Sequence, residues 1–203
     1  FVEAKAALDL PTDGVPSLDL VSERLHPITG FGYVPAAGLV PLREFYGSLS
    51  ERRFHSTQYV RHPAMPLYTP EPDIIHEVIG HGNLLASPRF AELKHVAGEA
   101  ARRVTTDEAL QVVADIFWFT VDFGVVVEEG ELRAYGAGIL SSYGEIDEFR
   151  AMEHRPIDLV EMGTADYDIT RYQPVLYRAE SMDEIREVVG GFFATCTDES
   201  IAE

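Results

Sequence analysis

The sequence predicts an α+β fold, mainly helical with small β-hairpins. Apolar residues recur at helical spacing in several segments. Two short apolar runs flank a charged turn with a single glycine, the pattern of a hairpin. Prolines and glycines crowd residues 1–42, and prolines crowd residues 61–73, confining those stretches to turns and short elements. The 203 residues suffice for one domain with its own core.

Taken in order, residues 1–42 contain Pro11, Pro16, Pro27, Pro35 and Pro41 with Gly14, Gly30, Gly32 and Gly38, so short helices between turns are expected. Ser17 caps one of them through Leu25. Leu42, Phe45, Tyr46 and Leu49 carry a helical spacing, and His55 to Val60 reads as a short strand or extended segment. Pro63, Pro66, Pro70 and Pro72 mark a loop. Asp73 then caps a helix that enters His76 and His81 and is expected to stop near Gly80 and Gly82. Ser87-Pro88 opens the next helix, whose apolar stripe is Phe90, Leu93, Val96, Ala97, Ala100, Ala101 and Val104. Thr106 caps a further helix that turns Leu110, Val113, Ala114, Phe117 and Val121 to the core, with Trp118 and Asp122 on a neighbouring stripe. Val125–Val127 and Leu132–Tyr135 form the expected hairpin. Gly136 and Gly138 permit close backbone approach in the loop beyond it. Ser142 to Arg150 is expected to be helical and Tyr172 to Tyr177 a strand; Ser181 caps a last helix.

Composition narrows the function. A net charge of -18 argues against nucleic acid and anionic membrane as partners, since phosphates would be repelled. No apolar run approaches the roughly 18 residues that span a bilayer, and no basic start followed by an apolar core suggests a signal peptide. The single Cys196 excludes an internal disulfide, fits a reducing cytoplasm and leaves His and carboxylate as the metal donors. The chain opens at Phe1 without Met, so an upstream segment is expected to be missing.

His76-Glu-Val-Ile-Gly-His81 and Asp122 are the candidate site. Two imidazoles and one carboxylate are the donors that hold non-haem Fe(II) and leave positions open for oxygen. The zinc-protease motif places its second His at i+4; here i+4 is Gly80. On an ideal helix residues five apart diverge by roughly 140°, so both rings reach one metal only if the helix ends between them. The alternative is a pair of unrelated polar histidines. Asp122 sits among Phe119, Val121, Phe123 and Val125, where a carboxylate needs a partner or a metal. Asp115, two turns earlier, reads as solvated or supporting. Arg61 offers a planar fork for a carboxylate, although a surface role is its default.

Several blocks together form a signature. Phe54-His-Ser-Thr-Gln-Tyr-Val-Arg-His62, Tyr68-Thr-Pro-Glu-Pro-Asp73, His76-Glu-Val-Ile-Gly-His81, Trp118-Phe-Thr-Val-Asp-Phe-Gly124 and Ala134-Tyr-Gly-Ala-Gly-Ile-Leu-Ser-Ser-Tyr-Gly-Glu145 resemble the pterin-dependent aromatic amino acid hydroxylases. Tyr172-Gln-Pro174, Tyr177 and Glu180-Ser181 continue the match, which covers nearly the whole chain in order. The resemblance implies a helical, basket-like catalytic domain over residues 1–203, without the regulatory domain or tetramerisation tail of animal members, and a monomer or dimer. It implies Fe(II) on His76, His81 and Asp122, with tetrahydrobiopterin (or a related tetrahydropterin) and O2 as cosubstrates. The pterin would lie against Phe45, near Val40, Leu42 and Glu77, with Ala114 and Phe117 on its other border. Arg61 would hold the amino acid carboxylate, helped by Thr69 and Ser141. Pro72, Trp118, Phe123 and Gly138 would surround the ring, and Glu145 would support the site from behind.

One departure matters. The family usually has Glu where this chain has Asp122, one methylene shorter, and the segment from His81 to Asp122 is about one residue longer than usual. Trp118 and the apolar Ile169 resemble the phenylalanine-hydroxylating branch, so hydroxylation of L-phenylalanine to tyrosine is the leading expectation. Meta-hydroxylation of phenylalanine and hydroxylation of tryptophan are alternatives within the family. A non-catalytic amino acid- or pterin-binding homologue is an alternative outside it, and a zinc hydrolase, disfavoured by the i+5 spacing, is a third.

Overall fold

The computed structural model describes residues 1–67 and 71–202. Helices dominate: α1 (Val2–Leu8), α2 (Leu18–Thr29), α3 (Leu42–Leu49), α4 (Asn83–Leu85), α5 (Pro88–Arg103), α6 (Asp107–Phe117), α7 (Ala137–Ser141), α8 (Glu145–Glu148), α9 (Leu159–Thr164), α10 (Met182–Glu184), α11 (Gly191–Thr195) and α12 (Asp198–Ala202). Three π-helices interrupt this series at Ile75–Gly82, Trp118–Asp122 and Ile185–Gly190. The expected caps are in place. Ser17 Oγ accepts from Leu20 N, Thr106 Oγ1 from Ala109 N and Ser181 Oγ from Glu184 N, and Pro88 opens α5. Ser181 caps α10 rather than the last helix, because the chain turns again before α12.

The strands are β1 (Gly32–Pro35), β2 (Arg53–Ser56), β3 (Val125–Glu128), β4 (Glu131–Ala134), β5 (Glu153–Pro156) and β6 (Val175–Ala179). Among the described residues only β3–β4 is a hairpin. Glu129 and Gly130 both hold positive φ, which a two-residue turn matched to strand twist requires. The other pairs are parallel: β1 with β2, and β6 with both β3 and β5. Helices α3 and α9 lie in the crossovers that parallel pairing demands. The expected strand at Tyr172–Tyr177 begins three residues later, since Pro174 has no N–H for a ladder. The one expected at His55–Val60 lies earlier, paired with β1. The expected helix at Ser142–Arg150 is shorter: Ser142 Oγ accepts from Glu145 N, and α8 runs from there into a 3₁₀ turn.

The main core joins α1–α3, α5, α6 and the first π-helix through residues such as Leu8, Val21, Leu25, Phe31, Leu49, Phe54, Leu85, Val113 and Phe117. A smaller cluster of Phe123, Val125, Ile139, Phe149 and Leu176 supports the four-stranded sheet. Among the described residues no helix is long and apolar enough to cross a membrane.

Candidate active site

The helix carrying His76 and His81 does not end between them. It runs on through Gly80 and Gly82 as a π-helix and continues into α4. Its i→i+5 hydrogen bonding brings residues five apart onto one side, which an α-helix would not. The two rings meet edge to face with centroids 4.6 Å apart. Asp73 fixes the start of the helix, Oδ1 accepting from His76 N at 3.1 Å.

Asp122 arrives on a second π-helix, closed by Phe123 N donating to Trp118 O at 3.0 Å. Its Oδ1 lies 3.0 Å from His81 Nε2 and 3.8 Å from His76 Nε2, so the shorter carboxylate does reach the histidine pair. Tight packing presses it there. A Cβ at Gly136 would stand 2.3 Å from Asp122 O, and one at Gly138 would stand 2.6 Å from the Phe123 ring. Asp122 Oδ1 is buried and accepts no hydrogen bond. An orphaned buried acceptor between two imidazoles is the environment a cation would satisfy.

The electrostatics agree. Burial, then the neighbouring His81, pushes His76 down to about 3, and burial holds His81 well below its usual value. Both rings are therefore neutral at pH 7, with a lone pair to give. Burial raises Asp122, while His76 and Lys94 pull it back. His76 Nδ1 faces Ser141 Oγ at 2.9 Å, and that hydroxyl donates its own hydrogen to Ala137 O at 2.7 Å. Ser141 thus accepts from Nδ1–H, leaving His76 Nε2 unprotonated toward Asp122. His81 Nδ1 contacts the buried amine Lys94 Nζ at 2.7 Å. Glu77, buried beside the pair, is raised to about 8, first by burial and then by Asp122, despite accepting from Thr57 N–H. His76, Glu77 and His81 bring one donor atom each within 4.8 Å of one another. Asp122 is the better third donor, since its orphaned oxygen faces both Nε2 atoms and Glu77 already has Thr57. Two imidazole nitrogens and one carboxylate oxygen fit a divalent iron with open positions.

A cavity of about 190 Å³ opens over these groups. Of the residues singled out from sequence, Val40, Leu42, Phe45, Pro72, Glu77, Phe117 and Trp118 line it together with His76, His81 and Asp122. Ala114, Phe123, Gly138, Ser141 and Glu145 are not among the lining residues. Phe123 packs on Trp118 at 4.6 Å, and Glu145 Oε1 accepts from Gln173 N at 3.0 Å. Arg61 is outside the lining. Its Nε and Nη2 donate to Asp73 Oδ2 and Oδ1 at 2.9 and 2.7 Å. Thr69 lies outside the described residues. Two larger hollows, one lined by α3 and α5 and one by α5 and the third π-helix, contain neither His76 nor His81.

Sequence reading missed four supports. Tyr33 Oη donates to Glu77 O at 2.6 Å. Thr57 lines the cavity. Tyr167 stacks on Trp118, centroids 4.7 Å apart and planes 14° from parallel, and donates to Asp115 Oδ1 at 3.1 Å. Lys94 had a visible signal: it interrupts the apolar stripe of α5 between Phe90 and Ala97, where a cation requires a reason. Asp115 is buried and bonded to Gln111 and Tyr167, a supporting rather than solvated role.

A family profile described as biopterin-dependent aromatic amino acid hydroxylase matches residues 3–200. The chain belongs to the biopterin-dependent aromatic amino acid hydroxylases. It is 52% identical over 202 residues to phenylalanine 3-hydroxylase of Streptomyces coeruleorubidus, covering all of this chain and 72% of that protein. It is 42% identical over 185 residues to human phenylalanine-4-hydroxylase, covering 90% of this chain and 41% of that longer protein. Chromobacterium violaceum phenylalanine hydroxylase, solved with bound iron(III) and 7,8-dihydrobiopterin, superposes with a TM-score of 0.87 at 30% identity over 95% of this chain and 71% of that one. Membership confirms the expected fold class, and with it an aromatic amino acid monooxygenase rather than a hydrolase.

Proposed function

We propose that this family member is an Fe(II)- and tetrahydropterin-dependent monooxygenase that hydroxylates the ring of L-phenylalanine. One observation carries the reading: two neutral imidazoles aim Nε2 at an orphaned, buried Asp122 oxygen at the floor of an apolar cavity. His76, His81 and Asp122 hold the iron. Bound iron and pterin together supply the electrons that activate O2. The protein binds, orients and excludes water. Phe45, Val40 and Leu42 form an apolar bed for the pterin, and Phe117 borders it. Glu77, with its carboxyl raised to about 8, keeps a proton at neutral pH and so offers the pterin a donor as well as an acceptor. Pro72 and Trp118 bound the space left for the substrate ring. Arg61, held bidentately by Asp73, presents a cation to the substrate carboxylate. The described residues form one catalytic domain.

For the carbon attacked, a second observation favours position 3 over the expected position 4. The Streptomyces 3-hydroxylase matches at 52% identity over this whole chain, the human 4-hydroxylase at 42% over nine tenths of it. The test is an aerobic assay with phenylalanine, tyrosine and tryptophan, Fe(II) and a tetrahydropterin, separating meta-tyrosine from tyrosine. Meta-tyrosine supports position 3 and tyrosine position 4. Iron binding without hydroxylated product from any substrate would sink the enzyme reading in favour of a binding homologue.

A further inference from the structure

We propose that Lys94 is a positioning residue that orients His81 toward the metal; the proposal rests on the His76–His81–Asp122 iron site inferred above. Lys94 is fully buried on α5, 13 residues beyond His81 in sequence, and its Nζ stands 2.7 Å from His81 Nδ1. Metal-bound histidines almost always donate their second ring N–H to an acceptor, which fixes the plane of the ring. His76 uses the Ser141 hydroxyl in this way. Among the described residues, Lys94 is the side chain in hydrogen-bond contact with His81 Nδ1, on the side of the ring opposite the Nε2 that faces Asp122 at 3.0 Å. In this role Nζ is a neutral amine whose lone pair accepts from Nδ1–H, which leaves Nε2 free for the metal.

The amine is itself fixed from several directions. Nζ sits 4.9 Å from the centroid of the Phe54 ring, and that ring packs against His81 at 4.7 Å. The carboxylate of Asp122 acts on it from across the site. Lys94, Phe54 and His81 therefore form a closed set of contacts in which the imidazole cannot rotate without losing its polar partner. An amine buried in an otherwise apolar stripe is costly unless it meets such partners. Core packing alone would favour Leu or Met at this position.

The test measures metal binding directly. Wild-type chain, Lys94→Met and Lys94→Gln are freed of metal, then titrated with Co(II) and with Fe(II) under anaerobic conditions against a competing chelator, recording the visible Co(II) spectrum and the melting temperature of each metal-free form. Met keeps the stem and removes the polar end; Gln restores a polar end one bond shorter. Lys94→Met is expected to bind metal roughly 10- to 100-fold more weakly, with a changed Co(II) spectrum and an unlowered metal-free melting temperature. Lys94→Gln is expected to fall between it and wild type. Binding by Lys94→Met within about twofold of wild type with the same spectrum, or tighter binding from the removed positive charge, overturns the proposal. If Lys94→Met fails to fold, unchanged affinity and spectrum in Lys94→Gln overturn it instead. A wild-type chain that takes up neither metal sinks the iron site itself, a different result from a Lys94 variant that binds normally.

Discussion

The metal end of the cavity and the loop that carries Arg61, outside the cavity lining, rest on different kinds of backbone. At the metal end every donor sits on a π-helix, and the glycines behind Asp122 press it into place. Arg61 lies on the connection between β2 and the first π-helix, outside regular structure, and its guanidinium is aimed by one side chain, Asp73. Asp73 is entirely buried, and it also accepts from the backbone N of Arg61 at 2.8 Å and of His76 at 3.1 Å. The comparison teaches that the two ends are separate in architecture but joined through one carboxylate. Donors that need fixed geometry are built on helices, and a guanidinium aimed by a single carboxylate is carried on a loop.

The comparison can be broken in graded steps. Asp122→Ala should do the most: metal uptake and hydroxylation fall to background, while phenylalanine binding, measured calorimetrically on the metal-free chain, stays near that of wild-type metal-free chain. Loss of both would mean that the ends are not separable. Asp73→Ala should strike both ends at once, raising KM for the amino acid and lowering stability by about 2–3 kcal/mol, because the half-buried Arg61 and the backbone N–H of His76 lose their acceptor. Denaturant unfolding and steady-state kinetics check this. Ser141→Ala should touch only the metal end, with roughly 10- to 100-fold weaker iron binding and unchanged KM for phenylalanine. A KM that rises in step with the loss of iron would contradict it.

Two smaller effects sharpen the picture. Glu77 is protonated more readily in the folded chain, about 8 against an ordinary 4.5. Its contribution to stability therefore falls as pH rises from about 4.5 to about 8, where the fold binds more protons than the unfolded chain. Glu77→Gln should flatten that slope in metal-free protein by at most a few kcal/mol, seen as melting temperatures that separate from wild type at pH 8 and converge at pH 5. Tyr167→Phe should be the mildest change. It removes the bond to Asp115 but keeps the stack on Trp118, costing about 1 kcal/mol in stability with the same product.

Much of this was legible in sequence because it is local. Ser17, Thr106, Ser181 and Pro88 act within one turn of their own position, and Glu129-Gly130 dictates its hairpin. The resemblance named ten of the residues that line the cavity. The parallel pairing of β1 with β2 and of β5 with β6 was not legible, since register between distant strands is set by helices packing across them. Nor was the π-helix: glycines at 80 and 82 have the form of helix stops, but a Cβ at Gly80 would meet Ala137 O at 2.7 Å, so packing accounts for that glycine. Tyr167 reaches Trp118 across 49 residues of chain, a contact no periodicity reports.

The π-helix between His76 and His81 has a genetic consequence. A π-turn is an α-turn that has accommodated one extra residue. Loss of a single in-frame codon between the histidines, such as that for Ile79, would restore α-helical winding and give the spacing His-Glu-x-x-His used by zinc proteases. The helix would still form with both rings on one face, yet every residue after the deletion, His81 and Lys94 included, would shift by one position against the helix that carries Asp122. Surface loops ordinarily absorb such length changes. In this eight-residue segment the metal site depends on residue count as strictly as on residue identity.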